Sequence, residues 1–294
     1  MKEQTKKANK IVNNKAFMGV SFTVLLLYTL LLIVPLCWIL LTSFKSSYEF
    51  SNNKLFFPKR WTEANYVGAL NLGIPVGVRK VYIEEMLLNS VIYMVLYSII
   101  PITSNCLVAY VCAKYPCAYT KVLHYLVVFF MVMPVLGGLS GSLEMSMKIG
   151  TYDNIWFSSI FQFTFGGTLF LVFYSTFRGI PNDYMEAASM DGAGHWRIMI
   201  TIIVPMAKAI IMAYMITTLI ALWNDWNTAL IWFPSMPTLS YGLYRFSSNG
   251  TGNTAAGVPT QCSTCVIAAI PALIFFGIFK DKILNSVSFG GLKG

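Results

Sequence analysis

Apolar residues run through this chain in long blocks that carry no charge. The blocks are Ala16–Phe44, Met86–Ala113, Tyr125–Leu143, Asn154–Phe177, Ala209–Asn224 and Phe246–Phe279. An α-helix rises about 1.5 Å per residue, so about 20 apolar residues cross a bilayer core. Five blocks suffice alone; the shorter one, from Ala209, extends past Asp225 through Trp226 to Trp232. The pattern predicts helices near 17–41, 87–112, 123–146, 157–177, 208–232 and 264–280. Buried helices of soluble proteins are shorter and show a polar face. Pro35, Pro101, Pro134, Gly166, Gly167 and Pro271 inside the blocks suit bundled membrane helices.

Composition agrees with that pattern. Hydrophobic residues make up 56% of the 294 and charged residues 11%, against about 25% charged in soluble domains. Mean hydropathy is +0.63. Too little charge is present to cover a water-facing surface, so lipid is the expected solvent. The fold expected is all-α, a polytopic membrane protein with about six transmembrane helices. Its parts are a cytoplasmic tail at 1–15, a first transmembrane helix at 16–42, an external segment at 43–86, a core at 87–280 and a cytoplasmic tail at 281–294.

Charge sets the orientation. Lys2, Lys6, Lys7, Lys10 and Lys15 crowd the N-terminal tail against one acid, Glu3, and positive residues stay cytoplasmic. With six spans both termini lie inside, together with the larger share of the 21 basic residues. Lys45, Lys54, Lys59, Arg60, Arg79 and Lys80 fall in the long external segment, and long loops cross with less regard to charge. The net charge of +9 therefore reports topology. No basic run interleaved with aromatics points to nucleic acid. The first apolar run is too long for a cleavable signal and lacks a small-residue cleavage site, so a retained span is expected.

Several chemistries find no support. No G-x-x-x-x-G-K-[S/T] occurs, so this chain does not hold ATP in a P-loop. His124 and His195 are too few and too far apart for a histidine-based metal site, and no metal or catalytic residue is expected. Cys262 and Cys265 have C-x-x-C spacing but no second ligand pair, and read as small apolar residues on a helix. Gly137 and Gly141 form a G-x-x-x-G, which permits close helix approach; a bend after Pro134 explains them equally.

One polar segment, 180–205, stands apart. Pro181 suits a helix start, and Asp183 and Glu186 suit the positive end of the helix dipole. Ala187 and Ala188 favour helix with little bulk, Gly192 and Gly194 break it, and a second helix is expected to stop before Pro205. A short helix, a turn and a second helix on the cytoplasmic face suit docking into another protein; an ordinary connecting loop is the plain alternative.

The same segment resembles the EAA signature of permease subunits in ABC importers: E-A-A, three residues, G, nine residues, I-x-L-P. Glu186, Ala187, Ala188, Gly192, Ile202 and Pro205 match, Val204 replaces the Leu, and Asp191 before the Gly is also typical. Trp223-Asn224-Asp225-Trp226 resembles a stretch of maltose-type sugar permeases, although Ala229 stands where that pattern has Pro. Phe57-Pro58, Asn65-Tyr66, Asn89-Ser90 and the closing Gly290-Gly291-Leu292-Lys293-Gly294 are similar too.

The resemblance implies the type I ABC importer transmembrane fold in a cell membrane. It implies no cofactor of the chain's own, with ATP and Mg held by a separate ATPase. Glu186 through Gly192 would be the coupling helix, and the closing tail would contact the ATPases. The implied partners are two ATPase copies, a related second permease and an external solute-binding protein delivering a sugar or oligosaccharide. A polyol phosphate, a peptide or an amino acid is the alternative cargo. An ATP-independent secondary transporter would be expected to carry intramembrane charges and matched halves, and neither is seen here. Asp225 has two readings: it lines the translocation path with Trp223 and Asn224, or it is a solvated carboxylate at the outer interface. At about 1.5 Å per residue it stands roughly 24 Å above Ala209. Trp223, Trp226 and Trp232 can likewise stack on sugars or form an interfacial belt.

Overall fold

The computed structural model describes residues 15–133, 137–248 and 257–290. Most of the expected N-terminal tail, Pro134 and the tail residues Gly291, Leu292, Lys293 and Gly294 lie outside that description. In chain order the helices are α1 (Lys15–Ser43), α2 (Ser47–Asn52), α3 (Ala64–Leu70), α4 (Ile83–Lys114), α5 (Ala118–Val132), α6 (Gly138–Ile149), α7 (Ile155–Ile160) and α8 (Gly167–Gly179). They continue with α9 (Asp183–Met190), α10 (His195–Met206), α11 (Lys208–Asn224), α12 (Asn227–Trp232), α13 (Leu239–Ser248) and α14 (Val258–Gly290). A hairpin of β1 (Gly73–Val76) and β2 (Arg79–Tyr82) precedes α4, with Gly73 paired to Tyr82 and Val76 to Arg79. The all-α expectation missed that hairpin, and α4 begins at Ile83, inside the segment expected to be external.

The helices fall into two compact units: Met1–Asn71 with Asn249–Ile267, and Leu72–Ser248 with Ala268–Gly294. In the first, α1 is apolar all round and its side chains stay exposed, as at Phe22 and Leu31. Such a helix needs an apolar solvent. Asn65 organises the rest. Its Nδ2 donates to the carbonyls of Ser43 (2.8 Å) and Lys45 (2.6 Å), while its own carbonyl accepts from Ser263 Oγ on the first turns of α14 (3.0 Å). Tyr66 Oη meets Ser43 Oγ at 2.7 Å. Lys45 is fully buried, and its ammonium donates to the carbonyls of Asn53 (3.0 Å) and Lys54 (3.4 Å) just beyond α2. A cation there also complements the negative end of the α2 dipole.

The second unit is built on α4, which packs along α8 and α11. Ile102, Cys106, Ala109 and Tyr110 of α4 meet Phe170, Phe173 and Phe177 of α8, with Val127 of α5 and Ile198 and Ile203 of α10 in the same cluster. A second cluster, around Tyr93, Tyr97, Phe233 and Tyr241, closes the far end.

Among the described residues, two helices are long and apolar enough to cross a membrane unbroken, Phe17–Ser43 and Ile83–Lys114. A third counts only if α10 and α11, bent by 73°, are taken as one span. The predicted third, fourth and fifth helices are each interrupted. Between α7 and α8 the cause is Gly166 and Gly167, at φ +145° and +64°, values that side-chain-bearing residues avoid. Polar side chains of α4 satisfy the freed backbone. Ser104 Oγ and Asn105 Nδ2 donate to the Thr164 carbonyl (2.5 and 3.1 Å), and the Gly166 N–H donates to Asn105 Oδ1 (2.9 Å). Broken backbone at membrane depth persists only where protein satisfies it in this way. In the predicted third helix, α5 ends at Val132 and α6 starts at Gly138, after Gly137 in left-handed conformation at φ +75°.

Candidate functional site

The segment 180–205 forms two helices and a turn. α9 starts after Asn182, with Asp183 and Glu186 in its first turn. The Asn182 side chain does not cap it; Asn182 Oδ1 instead accepts from Lys114 Nζ at 3.0 Å, and the same ammonium donates to the Ile180 carbonyl. The last residue of α4 thus fastens the first of the segment. Lys114 has no carboxylate partner, because the ion pairs among the described residues are Arg79–Glu85 and Glu144–Lys148.

α9 ends in a Schellman turn. Gly192, at φ +80°, donates to the Ser189 carbonyl (3.0 Å), and the Ala193 N–H reaches back to Ala188 (2.9 Å). A Cβ added at Gly192 would meet nothing within 4 Å, so its demand for glycine inside this chain is conformational rather than steric. Glu186, Ala187, Asp191 and Gly192 are exposed, while Ala188 is buried against the α4–α8 core. The exposed side carries large apolar groups: Met190 is 88% accessible and Trp196 68%.

α10 does not stop before Pro205, as the sequence suggested. It runs on to Met206 through a π-helical stretch, Met199–Ile203, and the break falls at Ala207. Proline lacks an N–H and collides with the carbonyl four residues back. The wider turn, in which the Val204 N–H donates to the Met199 carbonyl, accommodates the ring inside the helix. Ile203 and Ala207 are buried, Ile202 is half-buried and Pro205 faces out.

At the opposite end of α11, Asp225 closes the helix and starts the next. Its Oδ1 accepts from the backbone N–H groups of Asn227 (3.0 Å) and Thr228 (3.1 Å), and its Oδ2 accepts from Tyr93 Oη (2.7 Å). Ser240 Oγ donates to its carbonyl at 2.8 Å. The carboxylate is half-buried and anchored on its own chain. Trp223 is half-buried and Asn224 exposed, its side chain bonded back to the Ile220 carbonyl (2.9 Å). Sequence reasoning missed Tyr93 here and Lys114 at the other end, since neither sits in a recognisable motif. Asn89 and Ser90, noted for their resemblance, hold the same region: Asn89 Nδ2 donates to the Pro237 carbonyl (3.1 Å) and the Leu239 N–H to Ser90 Oγ (2.8 Å).

The histidines separate. His124 is packed against Tyr174 with ring centres 4.4 Å apart, whereas His195 Nδ1 meets Tyr115 Oη at 2.8 Å. All six cysteines are free, and no cluster of metal-ligating residues occurs among the described residues.

A family model described as "Binding-protein-dependent transport system inner membrane component" matches residues 8–286. The diacetylchitobiose uptake system permease protein NgcG of Streptomyces coelicolor is 28% identical over 286 residues, covering 96% of this chain and 91% of that protein. The maltodextrin transport system permease protein MdxG of Bacillus subtilis is 23% identical over 280 residues, covering 91% and 95%. Among solved structures, a bacterial ABC transporter involved in the import of the acidic polysaccharide alginate superposes with a TM-score of 0.74 at 18% identity, over 92% of this chain and 97% of that one. With its length matched almost throughout and its fold shared, the chain belongs to the family of inner membrane components of binding-protein-dependent transport systems.

Proposed function

We propose that this chain is one membrane-spanning subunit of an ATP-driven importer for a sugar or oligosaccharide. The curated relatives support the cargo class, being permeases named for diacetylchitobiose, maltodextrin and trehalose. In this reading the chain crosses the membrane about six times, by α1, α4, α5 with α6, α7 with α8, α11 with α12, and α14. Both termini and the segment 180–205 lie in the cytoplasm. The chain hydrolyses nothing; ATP and Mg belong to a partner ATPase present in two copies. A second permease completes the pathway and an external binding protein delivers the cargo.

The observation that carries the proposal is the form of the coupling segment. α9 presents Glu186, Ala187, Asp191 and Gly192 outward, yet is rooted in the core through Ala188 and tied to α4 by Lys114. Closure of the ATPase subunits would push α9. Ala188, Ile198 and Ile203 share one packed cluster with α4 and α8, and a close-packed interior transmits such a push instead of absorbing it. The push then tilts the bundle, exposing the path alternately to the two sides. The tail Gly290–Gly294 would meet the same ATPases.

Uptake of labelled oligosaccharide by cells carrying Gly192→Ala and Gly192→Trp tests this. Alanine brings the backbone strain, roughly 1–2 kcal/mol, with almost no bulk; tryptophan brings the strain and fills the partner's groove. Uptake is expected to persist with alanine and to vanish with tryptophan. Undiminished uptake with tryptophan would contradict docking at this turn.

A further inference from the structure

Lys114 and Glu186 line one cavity of about 520 Å³, yet they do not pair. Asn182, Ser189 and His195 complete its polar wall. A second cavity, of about 560 Å³, adjoins it and is walled by Leu107, Val111, Leu123, Trp196 and Met199. Tyr115 and His195, hydrogen-bonded to each other, line both. The apolar chamber follows the last two turns of α4, where an apolar span ends and the polar segment begins. Both volumes fall within the range of small-molecule sites, about 300–1,000 Å³.

The charges indicate what fits. The Lys114 ammonium has three N–H donors, two of them given to Ile180 and Asn182, so one remains for an anion. Glu186 is an exposed carboxylate with no ion-pair partner, free to accept from a cation. An occupant therefore carries both signs at one end and a hydrocarbon at the other. A peptide does not suit the apolar chamber, where its backbone would lose water without finding partners. An anionic headgroup would face Glu186.

We propose that the two chambers bind one zwitterionic, amine-headed phospholipid. Its phosphate meets Lys114, its ammonium meets Glu186, and one acyl chain lies along Leu107, Val111 and Trp196. Glu186 also lies on the surface proposed for the ATPase, so lipid binding is read on the chain without ATPase, where its failure and the failure of docking are distinguishable.

Trp196 provides the readout. The full-length chain, freed of any co-purifying ATPase, is titrated in detergent with phosphatidylethanolamine bearing dibrominated acyl chains, which quench tryptophan. The comparison lipid is phosphatidylglycerol with the same chains, and Trp196→Phe isolates the signal. Quenching of Trp196 is expected to saturate, with a midpoint about tenfold lower for the amine-headed lipid, the effect of one charge-assisted hydrogen bond. Glu186→Gln should abolish that preference while leaving quenching measurable. Absence of a saturable Trp196 component, equal midpoints for the two lipids, or a preference that survives Glu186→Gln would each overturn the proposal. The second result identifies unselective annular lipid, and the first a chamber closed by protein.

Discussion

Asp225 shows how much a single carboxylate can hold. It accepts from two backbone N–H groups and from Tyr93, so Asp225→Ala strands three donors at a half-buried helix junction. An unsatisfied buried group costs about 1–3 kcal/mol. Asp225→Ala should therefore lower the melting temperature of the purified protein by several degrees, and Asp225→Asn, which keeps an acceptor, by clearly less. Equal losses would mean that charge rather than hydrogen bonding matters there. Cys117 stands at the N-terminus of α5. Its exposed sulfur accepts the Thr120 backbone N–H, which holds the thiol below its ordinary range. Only the thiolate attacks maleimide, so a lowered pKa extends reactivity to lower pH. Cys117 should label faster than an ordinary exposed thiol near neutral pH, and the advantage should fade as pH rises and ordinary thiols ionise as well. Under the proposed topology an impermeant maleimide reaches it from the cytoplasmic side alone.

At the scale of elements, the breaks matter as much as the helices. Asn105 joins three hydrogen bonds around the Pro101 turn and the Thr164–Gly166 break. Asn105→Leu keeps the volume but leaves Gly166 unbonded and removes one of the donors to Thr164. A loss of about 1–3 kcal/mol should appear as a lower unfolding midpoint; an unchanged midpoint would show that other groups seal the break. These interruptions also mark where the sequence stopped being readable. Charge-free blocks identify apolar stretches because desolvating charge is costly in any fold, and α1 and α4 emerge from them almost whole. The same blocks hide where a helix opens inside apolar surroundings, because hydropathy is blind to φ. Gly166 and Gly167 were visible as residues, but their left-handed backbone depends on Ser104 and Asn105, some sixty positions away. Likewise Pro205 predicted a stop, and the π-helical turn at Met199–Ile203 let the helix continue to Met206. The β1–β2 hairpin, only four residues per strand, was too short to register against the apolar blocks. The motif around Glu186 was legible because its glycine and small residues sit at fixed offsets. Lys114, which ties that motif down, was not, because the contact is made across the fold.

Alone, the chain leaves large apolar surfaces uncovered. α1 exposes apolar side chains on every face, and α9 displays Met190 almost fully accessible beside a glycine turn with open space around it. The proposed assembly would cover both surfaces, by lipid in the first case and by an ATPase in the second. Co-purification reports on the second contact. The full-length chain is solubilised in detergent and captured by a tag as the unmodified form, Gly192→Ala and Gly192→Trp, and the accompanying proteins are identified by mass. An ATPase subunit and a second permease are expected with the unmodified chain, both kept with alanine, and the ATPase alone lost with tryptophan. If the unmodified chain comes alone, and liposomes containing it move solute without ATP, the segment 180–205 is not a coupling element and the importer assignment fails with it.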